Sequence, residues 1–494
     1  MSKRLGLGAV LALMLSLALP SAALAQGDAE AFKIELDLVW VMLATVLVFF
    51  MQAGFMFLEI GFSRGKNVGT GVAKIFVNLG MVTLAWSAIG YGVSNAGNTI
   101  FGESGYFFSF AGEAIDAALA ADTGLMLFGL AFCAVSLAIV WGTTLERIKF
   151  GAYVVFAFVF GALIYPLIAH AVWADGLLAD IGGKAVLDFA GSSVVHLTGA
   201  TAGLAALLLL GPRLGKYGAD GKPRAIPGHS MPLVGLGVMI LWIGWFGFNG
   251  GSTFATDDNL FAEVMLNTQL AVAAGILGAA LIVRLKARAL DVGMIGNGAI
   301  AGLVGITAPS GFVEYWAAPI IGFAAGALVV YSVLLIEKYI DDPVGALSAH
   351  GAAGIWGTLA VGLFASPRLT GDAASSGIWY GIFDGDVAFA GTLGQLAVQA
   401  VGVVATFVVV FALAYAAFYA IKQTIGLRVS EEEELAGLDI SSHGLYGYPE
   451  QFIPQPEYPS TPAIEPHVAG TPVGTPASAG VGAGAPVPQR PTSS

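Results

Sequence analysis

Two histidines of this chain follow an aspartate and a glycine at identical spacing in two distant segments. Asp188-Phe-Ala-Gly-Ser-Ser-Val-Val-His196 and Asp342-Pro-Val-Gly-Ala-Leu-Ser-Ala-His350 both carry glycine at the third and histidine at the eighth residue after the aspartate. Each opens an apolar segment that is long enough to enter a membrane. Ionisable side chains within a bilayer are costly, and such a residue is by default a candidate functional group. The repeat therefore predicts that His196 and His350 act as a pair, and the structural alternative is two hydrogen-bonded core residues.

Two neutral imidazoles can exchange hydrogen bonds and protons with a small molecule. Each ring has one nitrogen that donates and one that accepts, and sequence does not determine the tautomer. A proton could also pass along the pair. The competing hypothesis is an intramembrane metalloenzyme, but catalytic zinc takes three protein ligands and Asp188 lies two helical turns from His196. No His-Glu-x-x-His motif occurs and Cys133 is the single cysteine, so we expect no metal and no other cofactor, which metal analysis of the purified protein tests.

The composition is that of a polytopic membrane protein. The chain has 494 residues, of which 57% are hydrophobic and only 11% are charged, whereas soluble domains carry about 25% charged residues. Apolar stretches of spanning length recur along it, which predicts an all-α fold surrounded by membrane lipid, and nothing in the sequence indicates nucleic-acid binding. Eleven transmembrane helices are predicted, at residues 36–62, 69–93, 122–143, 149–171, 189–211, 230–250, 258–288, 294–309, 314–339, 345–365 and 391–424.

The charge pattern predicts how the chain is oriented. Residues 1–25 are typical of a cleaved signal peptide, with Lys3 and Arg4 before a short apolar run and small residues up to Ala25. Basic clusters follow the odd-numbered spans, and the alternate loops hold mostly acidic residues. By the positive-inside rule, we expect the N-terminus outside, the C-terminus in the cytoplasm, and a location in the cell (inner) membrane.

The two histidine segments also predict an internal repeat. Span five begins near Asp188 and runs inward, whereas span ten begins near Asp342 and runs outward, so two five-helix halves have opposite orientation and a long last helix follows them. Inverted repeats with a site near the midplane are typical of transporters. Eight residues of α-helix rise about 12 Å in a hydrocarbon layer about 30 Å thick. We therefore expect the two histidines to meet near the middle of the membrane.

The predicted conduit around the histidines is apolar. No lysine or arginine falls near the middle of a predicted span, and the candidate lining segments are rich in small and aliphatic residues. Transferring an isolated ion into such a medium costs on the order of 20 kcal/mol before relaxation, and a small neutral molecule costs far less. We expect a pathway that rejects hydrated alkali ions and conducts a small polar neutral molecule.

Several aromatic residues fall at the predicted outer ends of the spans. Phe128 and Phe132 share one face of span three, and Trp173 follows span four. Span six ends with Phe248 and Ser252. A Trp face attracts a compact cation, the serine offers a hydroxyl, and a phenylalanine can plug the entrance. One at a time, such aromatic residues are more typical of helix packing or of an interfacial belt, but their convergence at one mouth favours a binding site.

Several short motifs match the pattern of a known protein family, both in their order along the chain and in their spacing. They are Arg64-Gly-Lys-Asn67, Leu145-Glu-Arg-Ile148, the segment Asp188–His196, Gly244-Trp-Phe-Gly-Phe-Asn249, Asp341-Asp-Pro343 leading to His350-Gly351, Gly426-Leu-Arg-Val429 and Gly437-Leu-Asp-Ile-Ser-Ser-His-Gly444. With these motifs the chain resembles the ammonium transporters of the Amt/Mep/Rh family, on the Amt branch, over about residues 34–448.

This resemblance implies a non-enzymatic transporter of ammonium or ammonia with eleven helices, assembled as a homotrimer with one pore in each subunit. It also implies roles for individual residues. The implied roles are an outer ammonium site of Phe132, Trp173 and Ser252, an aromatic gate of Phe132 and Phe248 with Phe128 nearby, twin pore histidines His196 and His350, a pore-lining Thr307, and Asp188 as support for recruitment and for the fold. Asp188 is equally typical of a helix N-cap, so both readings stay open.

The C-terminal part divides into two predicted segments after a transmembrane domain of residues 26–425. Residues 426–448 resemble the regulatory tail of the family, in which Glu431–Glu434 reads as a solvated acidic turn, and residues 449–494 are rich in Pro, Gly, Ala and Ser, which predicts disorder. The resemblance further implies a PII-type signalling protein that plugs the cytoplasmic pore. The sequence leaves three functions open, namely net ammonium transport, a passive ammonia channel, and an ammonium sensor that signals through the tail.

Overall fold

A computed structural model describes residues 2–107, 109, 117–256 and 258–452, with the side chains of 2–31, 117–119, 450 and 452 left undescribed. The predicted signal peptide falls where no side chain is described. The predicted disordered tail lies, from residue 453 onward, outside the described residues. Both therefore stay predictions.

The described chain is all-helical. Ten of its helical spans are long and apolar enough to cross a membrane, and one shorter apolar helix accompanies them, which confirms the predicted all-α polytopic fold with eleven spans. The main helices are α1 (Ser2–Phe62), α2 (Val68–Ala85), α3 (Ala117–Thr143), α4 (Phe150–Val159), α5 (Tyr165–Trp173), α6 (Thr198–Leu210), α7 (Met231–Gly251), α8 (Leu260–Ala287), α9 (Val292–Thr307), α10 (Ala317–Ile336), α11 (Ala353–Phe364) and α12 (Phe389–Thr424).

Shorter elements complete or connect these spans. Four π-helical turns continue α2, join α4 to α5, and precede α6 and α11; they are Trp86–Gly90, Phe160–Ile164, Ser192–Leu197 and Leu347–Ala352. The remaining short helices are Gly65–Asn67, Tyr91–Ser94, Pro367–Thr370, Ala373–Ser375, Ile378–Phe383, α13 (Glu431–Ala436), α14 (Leu438–His443) and Pro449–Phe452. The described residues contain isolated β-bridges but no strand.

Small residues allow the helices to pack closely where lipid supplies no competing hydrophobic force. The clearest case is the crossing of α8 and α10, where a Cβ atom on Gly322 would lie 2.0 Å from the carbonyl oxygen of Ala271. A Cβ atom on Gly326 would lie equally close to the carbonyl oxygen of Gly275. Any larger residue would separate the two backbones, which is why small residues occupy helix interfaces in membranes.

The two histidine segments adopt related conformations at opposite ends of the bundle. The carboxylate of Asp188 accepts the backbone N–H groups of residues 191–194 at 2.8–3.0 Å. The carboxylate of Asp342 accepts those of Gly345 and Leu347 at 3.2 and 2.7 Å. Gly191 and Gly345 have positive φ angles of 115° and 75°, a conformation that glycine adopts without a steric penalty. Each aspartate therefore caps a turn in which glycine adopts the positive φ angle.

Both capped turns lead into a π-helical turn that carries the histidine, rather than into the α-helix that the spacing predicts. The eight residues from each aspartate to its histidine consequently do not rise as α-helix, and the predicted 12 Å advance does not apply. Near His196, the hydroxyl of Thr198 donates to the carbonyl of Ser193, five residues earlier. π-Helical turns are uncommon and concentrate at functional sites.

A buried charge cluster joins the loops at the face where α1, α3 and α6 end, called here the basic face. Arg213 donates two side-chain hydrogen bonds of 2.9 Å to the carboxylate of Asp341, and Arg147 donates to the backbone carbonyl of the same residue at 2.7 Å. Arg64 binds Glu146 at 2.6 Å. Burial would raise the pKa of Asp341, but the hydrogen bond from Arg213 and the charges of both arginines outweigh it and lower that pKa to about 2.

The C-terminal segment 426–448 packs against this same face. Ser430 caps α13, and Glu434 is only 1% exposed, with hydrogen bonds from Arg428 and from the backbone N–H of Leu214. The prediction of a solvated acidic turn at 431–434 is therefore wrong for Glu434, because Arg428, six residues earlier in the chain, and the loop that carries Leu214 bind its two carboxylate oxygens. The carboxylate of Asp439 accepts two backbone N–H groups at the start of α2.

We expect Asp341→Asn to lower the free energy of unfolding by on the order of 3–5 kcal/mol, because it leaves two buried guanidinium groups without their anion. The depressed pKa means that ionised Asp341 stabilises the fold above its unfolded pKa of about 3.9, and that this contribution is lost as the pH falls towards about 2. Denaturant unfolding in mixed micelles measures both effects. Asp220→Asn removes an exposed carboxylate paired with Lys222 and serves as the control, and equal destabilisation by the two variants would refute the assignment.

Candidate conduction pathway

A cavity of about 380 Å³ opens between α3, α5 and the C-terminal end of α7. It contains four of the residues that the sequence places at the outer mouth, namely Phe128, Phe132, Trp173 and Ser252. The indole N–H of Trp173 donates to the backbone carbonyl of Asp188 at 2.7 Å, so the capped turn before the first histidine also orients this ring. Trp173 remains 41% exposed, which leaves part of its surface free to meet a solute.

Tyr165 and Phe254 are among the other residues that line this cavity, and neither is predicted there from the sequence. The hydroxyl of Tyr165 is buried and has no hydrogen-bond partner among the described residues. Phe254 packs edge-on against Phe128 with ring centroids 5.4 Å apart. Tyr165 follows a π-helical turn and Phe254 lies just past the end of α7, and neither position has a sequence spacing that points to the cavity.

The base of the outer cavity is closed by two stacked phenylalanine rings. Phe132 and Phe248 lie parallel, with centroids 3.9 Å apart and an interplanar angle of 7°. Both side chains are buried, and Phe128 extends the stack with its centroid 4.4 Å from that of Phe132. A solute must therefore displace or pass these rings to go deeper.

The two histidines lie directly behind the phenylalanine pair. The ring of Phe248 is 5.5 Å from that of His196, and the rings of His196 and His350 are 5.3 Å apart. Their Nδ1 atoms approach to 3.2 Å. Because a hydrogen bond needs one donor and one acceptor, a neutral pair in this geometry carries the Nδ1 proton on only one ring. The Nε2 atom of His196 is buried and has no hydrogen-bond partner in the described structure.

A tryptophan holds the first histidine in place. The ring of Trp245 stacks on His196 with centroids 5.1 Å apart and an angle of 18°. Its indole N–H donates to the hydroxyl of Thr307 at 2.9 Å, and that hydroxyl donates to the carbonyl of Leu303 at 2.7 Å. The Thr307 hydroxyl thus accepts one hydrogen bond from Trp245 and donates one to Leu303. The family resemblance instead implies that Thr307 lines the pore.

Beyond His350 the pathway continues through two more spaces. A cavity of about 20 Å³ is lined by His350, Phe55, Glu59 and Asn297, among others. A larger one of about 350 Å³ opens towards the basic face and shares Asn297 and Val344 with it. The order is therefore outer cavity, phenylalanine pair, histidine pair, small inner cavity and inner vestibule.

The chemistry of this route suits a small molecule that is recognised as a cation and travels as a neutral species. The outer end offers an aromatic face and a hydroxyl, the middle offers imidazole nitrogens, and the walls between them are apolar. Within the described part of the chain, no three His, Cys, Asp or Glu residues are grouped so that they could hold a metal ion. The two histidines face each other, and hydrogen bonding is the chemistry that they share.

The chain is similar to several known proteins over most of its length. The family model of the Ammonium Transporter Family matches residues 39–448. The ammonium transporter Amt2 of Archaeoglobus fulgidus is 41% identical over 437 residues, which cover 86% of this chain and 91% of that protein. A solved structure called Sensor Amt Protein superposes with a TM-score of 0.76 at 32% identity and covers 84% of this chain and 100% of that one. Mep2 of Candida albicans superposes with a TM-score of 0.70 at 28% identity, over 80% and 87% of the two chains.

We expect Thr307→Val to lower the free energy of unfolding by about 1–3 kcal/mol, because the indole N–H of Trp245 would be left buried without an acceptor. Thr307→Ser keeps the hydroxyl and is the matched control. In a Trp245→Phe background, the same Thr307→Val change should cost much less, since no N–H group remains to be satisfied. Equal costs in the two backgrounds would show that Thr307 does not act through Trp245.

Proposed function

This chain belongs to the ammonium transporter family, and on that premise we propose that it takes up ammonium at the outer cavity and conducts the nitrogen as ammonia past the histidine pair. Membership makes it a multi-pass membrane transporter rather than an enzyme. The observation that carries the proposed mechanism is the 3.2 Å contact between the two buried Nδ1 atoms. That contact lies directly behind the stacked phenylalanine rings, between the outer cavity and the small cavity that His350 lines.

Recruitment uses the face of Trp173 and the hydroxyl of Ser252. A Trp ring attracts a compact cation, by about 0.5–1 kcal/mol when exposed and more when water is excluded. The Ser252 hydroxyl donates its proton to the carbonyl of Phe248 at 2.9 Å, so its lone pairs are free to accept an N–H bond. Potassium has a similar charge but no N–H group, and the hydroxyl therefore favours ammonium. Phe132, edge-on to Trp173 at 6.2 Å, completes the site.

Deprotonation precedes entry into the apolar segment. An isolated ion would lose on the order of 20 kcal/mol of hydration there before any relaxation, whereas ammonia is neutral and small. The rings of Phe128, Phe132 and Phe248 form the gate between the two environments. Asp188 supports this arrangement through its four backbone N–H contacts and through the carbonyl that fixes Trp173, so its main contribution is to position the recruitment site.

The histidines give ammonia hydrogen-bond partners along an otherwise apolar route. The buried Nε2 of His196 offers the first partner, and the hydrogen-bonded Nδ1 atoms offer a path for the released proton. Passage of that proton to the same side as the ammonia amounts to net ammonium transport. A passive ammonia channel, in which the proton stays outside, is the competing mechanism, and Thr307 contributes to either one by holding Trp245 against His196.

We expect the double variant His196→Ala/His350→Ala to lose at least about tenfold in its discrimination of ammonium against potassium, because the imidazole partners supply the selective hydrogen bonds. Current and uptake in liposomes under matched gradients measure this ratio. His443→Ala, on the tail helix α14, is the control and should keep the ammonium-to-potassium ratio of the unaltered protein. Unchanged selectivity in the double variant would remove the histidines from the mechanism.

Membrane orientation follows from the positions of the basic residues. Arg64, Arg147, Arg213 and Arg428 gather in contacts at the basic face, and the positive-inside rule assigns that face to the cytoplasm. The mature N-terminus after residue 25 then lies outside and the tail inside, in the cell (inner) membrane. Family membership supports a homotrimer with one pore per subunit, and the mass of the detergent-solubilised protein by light scattering tests it.

The tail supports a regulatory role at the cytoplasmic end of the pore. Asp439 binds the backbone N–H groups that open α2, and the backbone of Leu427 accepts a hydrogen bond from the N–H of Lys149. A PII-type protein that docks at this face would meet the tail and the inner vestibule together. A second function, ammonium sensing through residues 426–448, is favoured by the same contacts and by the likeness to a protein called Sensor Amt Protein.

We expect Asp439→Asn to change the transport rate and its response to a PII-type partner without altering the ammonium-to-potassium ratio, since the filter is formed elsewhere. The aspartate loses a charge that accepts two helix N-terminal N–H groups, a change that costs about 1 kcal/mol of capping energy. Uptake assays with and without the partner protein measure the effect. A collapse of selectivity would show that the filter depends on the tail and that its placement is wrong.

A further inference from the structure

A glutamate and a lysine are buried in neighbouring spans without hydrogen-bond partners. Glu59 lies in the last turn of α1 and Lys74 in the second turn of α2, and each side chain is 1% exposed. Both carboxylate oxygens of Glu59 lack a hydrogen-bond partner among the described residues, and so does the Nζ atom of Lys74. Buried charges normally need such partners to offset their lost hydration. Unlike the cluster around Asp341, this pair is therefore not explained by the stability that it provides.

The carboxylate of Glu59 opens onto the route that leaves the histidines. Glu59 and His350 line the same cavity of about 20 Å³, which exceeds the roughly 10–15 Å³ that one water molecule requires. Gly142 on α3 also lines this cavity, and a Cβ atom there would lie only 2.9 Å from Cγ2 of Val344 on its wall. Lys74 does not line this cavity.

Lys74 faces the opposite way, into the packing between α2 and α4. Its Nζ atom lies 5.8 Å from the centre of the Tyr153 ring, and the Tyr153 hydroxyl donates to the backbone carbonyl of Lys74. The charges that act on Lys74 are those of Glu59, Arg147 and Glu146. Lys74 therefore interacts electrostatically with Glu59 but does not line the cavity. The Glu59 side chain does line it, next to His350.

We propose that the Glu59 carboxylate is the proton acceptor on the cytoplasmic side of the histidine pair. This inference rests on the proposed net transport of ammonium. An N–H bond of ammonium breaks and its proton binds the lone pair of Nε2 on His196. The Nδ1 proton of His196 then passes to Nδ1 of His350, and the Nε2–H bond of His350 breaks. Each ring now holds its proton on the other nitrogen, and both rings return to their starting tautomers before the next proton passes. The proton released by His350 crosses the small cavity, through one bridging water, to a carboxylate oxygen of Glu59. It then leaves to the inner vestibule, where ammonia takes it up again, and the carboxylate is restored.

The competing explanation is a structural ion pair that ties α1 to α2. The two explanations differ in what matters about the pair. A structural pair needs one positive and one negative group in contact range, in either arrangement. A proton acceptor needs the carboxylate on the side of the cavity that holds His350.

Three variants separate these explanations. Glu59→Gln/Lys74→Gln removes both charges together, so no buried ion is left uncompensated. The exchange Glu59→Lys/Lys74→Glu keeps both charges but moves the carboxylate away from the cavity. Glu59→Asp keeps the carboxylate in place, and Glu35→Gln, an exposed position on the same helix, is the control. Size-exclusion profiles and unfolding midpoints identify any variant that does not fold, and in that event Glu59→Asp and the neutral double variant decide the question.

Two measurements are made on each variant in proteoliposomes. Solid-supported membrane electrophysiology after an ammonium jump reports charge transport, and uptake of isotope-labelled ammonium reports entry of the nitrogen, with or without an accompanying proton. We expect the current to fall at least about tenfold in the neutral and exchanged variants, as for loss of a group that transfers protons. We expect ammonia entry to fall less than about threefold, and Glu59→Asp to retain more current than the neutral variant.

Retained current in the exchanged variant, or in the neutral variant, would overturn the proposal in favour of a structural pair. Loss of both current and ammonia entry in a folded variant would also overturn it, because Glu59 would then matter for the shape of the pore. Failure of the proposed function has a different signature. The unaltered protein would take up the label without any current if it were a passive ammonia channel, and would do neither if it did not transport ammonium.

Discussion

The hydrogen bond between two imidazoles that are shut away from water is the interaction on which the pathway depends. An imidazole buried among apolar helices needs a partner for each polar nitrogen, and at 3.2 Å His196 and His350 provide one for each other. This arrangement has a consequence for selectivity, because the second nitrogen of each ring remains available to a permeating molecule. That nitrogen can donate or accept a hydrogen bond, but a neutral ring carries no net charge with which to hold an ion. Much of the surrounding structure serves to bring the two rings together, including two aspartate-capped turns, two positive-φ glycines and two π-helical turns.

Sequence alone predicts the spans and the pairing of the histidines because both follow from simple physical limits. A helix needs about 20 apolar residues to cross the hydrocarbon, so the eleven stretches stand out from the loops, and their ends agree with the helices to within a few residues in most cases. Asp188 and Asp342 precede the histidines at equal spacing, and a short carboxylate before a helix is a strong capping signal. The aromatic residues of the outer mouth are harder to assign, yet Phe132, Trp173 and Ser252 do line one cavity.

Other features depend on contacts between segments that are distant in the sequence, and no local sequence pattern predicts these contacts. A π-helical turn differs from an α-helical one by a single backbone hydrogen-bond step, and the choice is made by what packs around it. Thr307 is expected in the pore wall but bonds Trp245, since its direction depends on how α7 and α9 face each other. Glu434 reads as a solvated acid, yet Arg428 and the loop after α6 bury it. Glu59 carries a signal that the sequence analysis left unused, a carboxylate inside an apolar span.

The buried charges of this protein divide into two groups, and the difference between them follows from hydrogen bonding rather than from depth. At the basic face, Asp341 and Arg213 are nearly as buried as Glu59 and Lys74, but each oxygen and most of the N–H groups have partners, so the cluster can lock the loops and the tail in one arrangement. A fully bonded carboxylate of this kind resists protonation, as the low pKa of Asp341 shows. A carboxylate without partners lacks that resistance, since no donor is lost when it takes up a proton. Structural and proton-accepting roles therefore require opposite environments, and Glu59, which lines the small inner cavity together with His350, has no partner for either oxygen among the described residues.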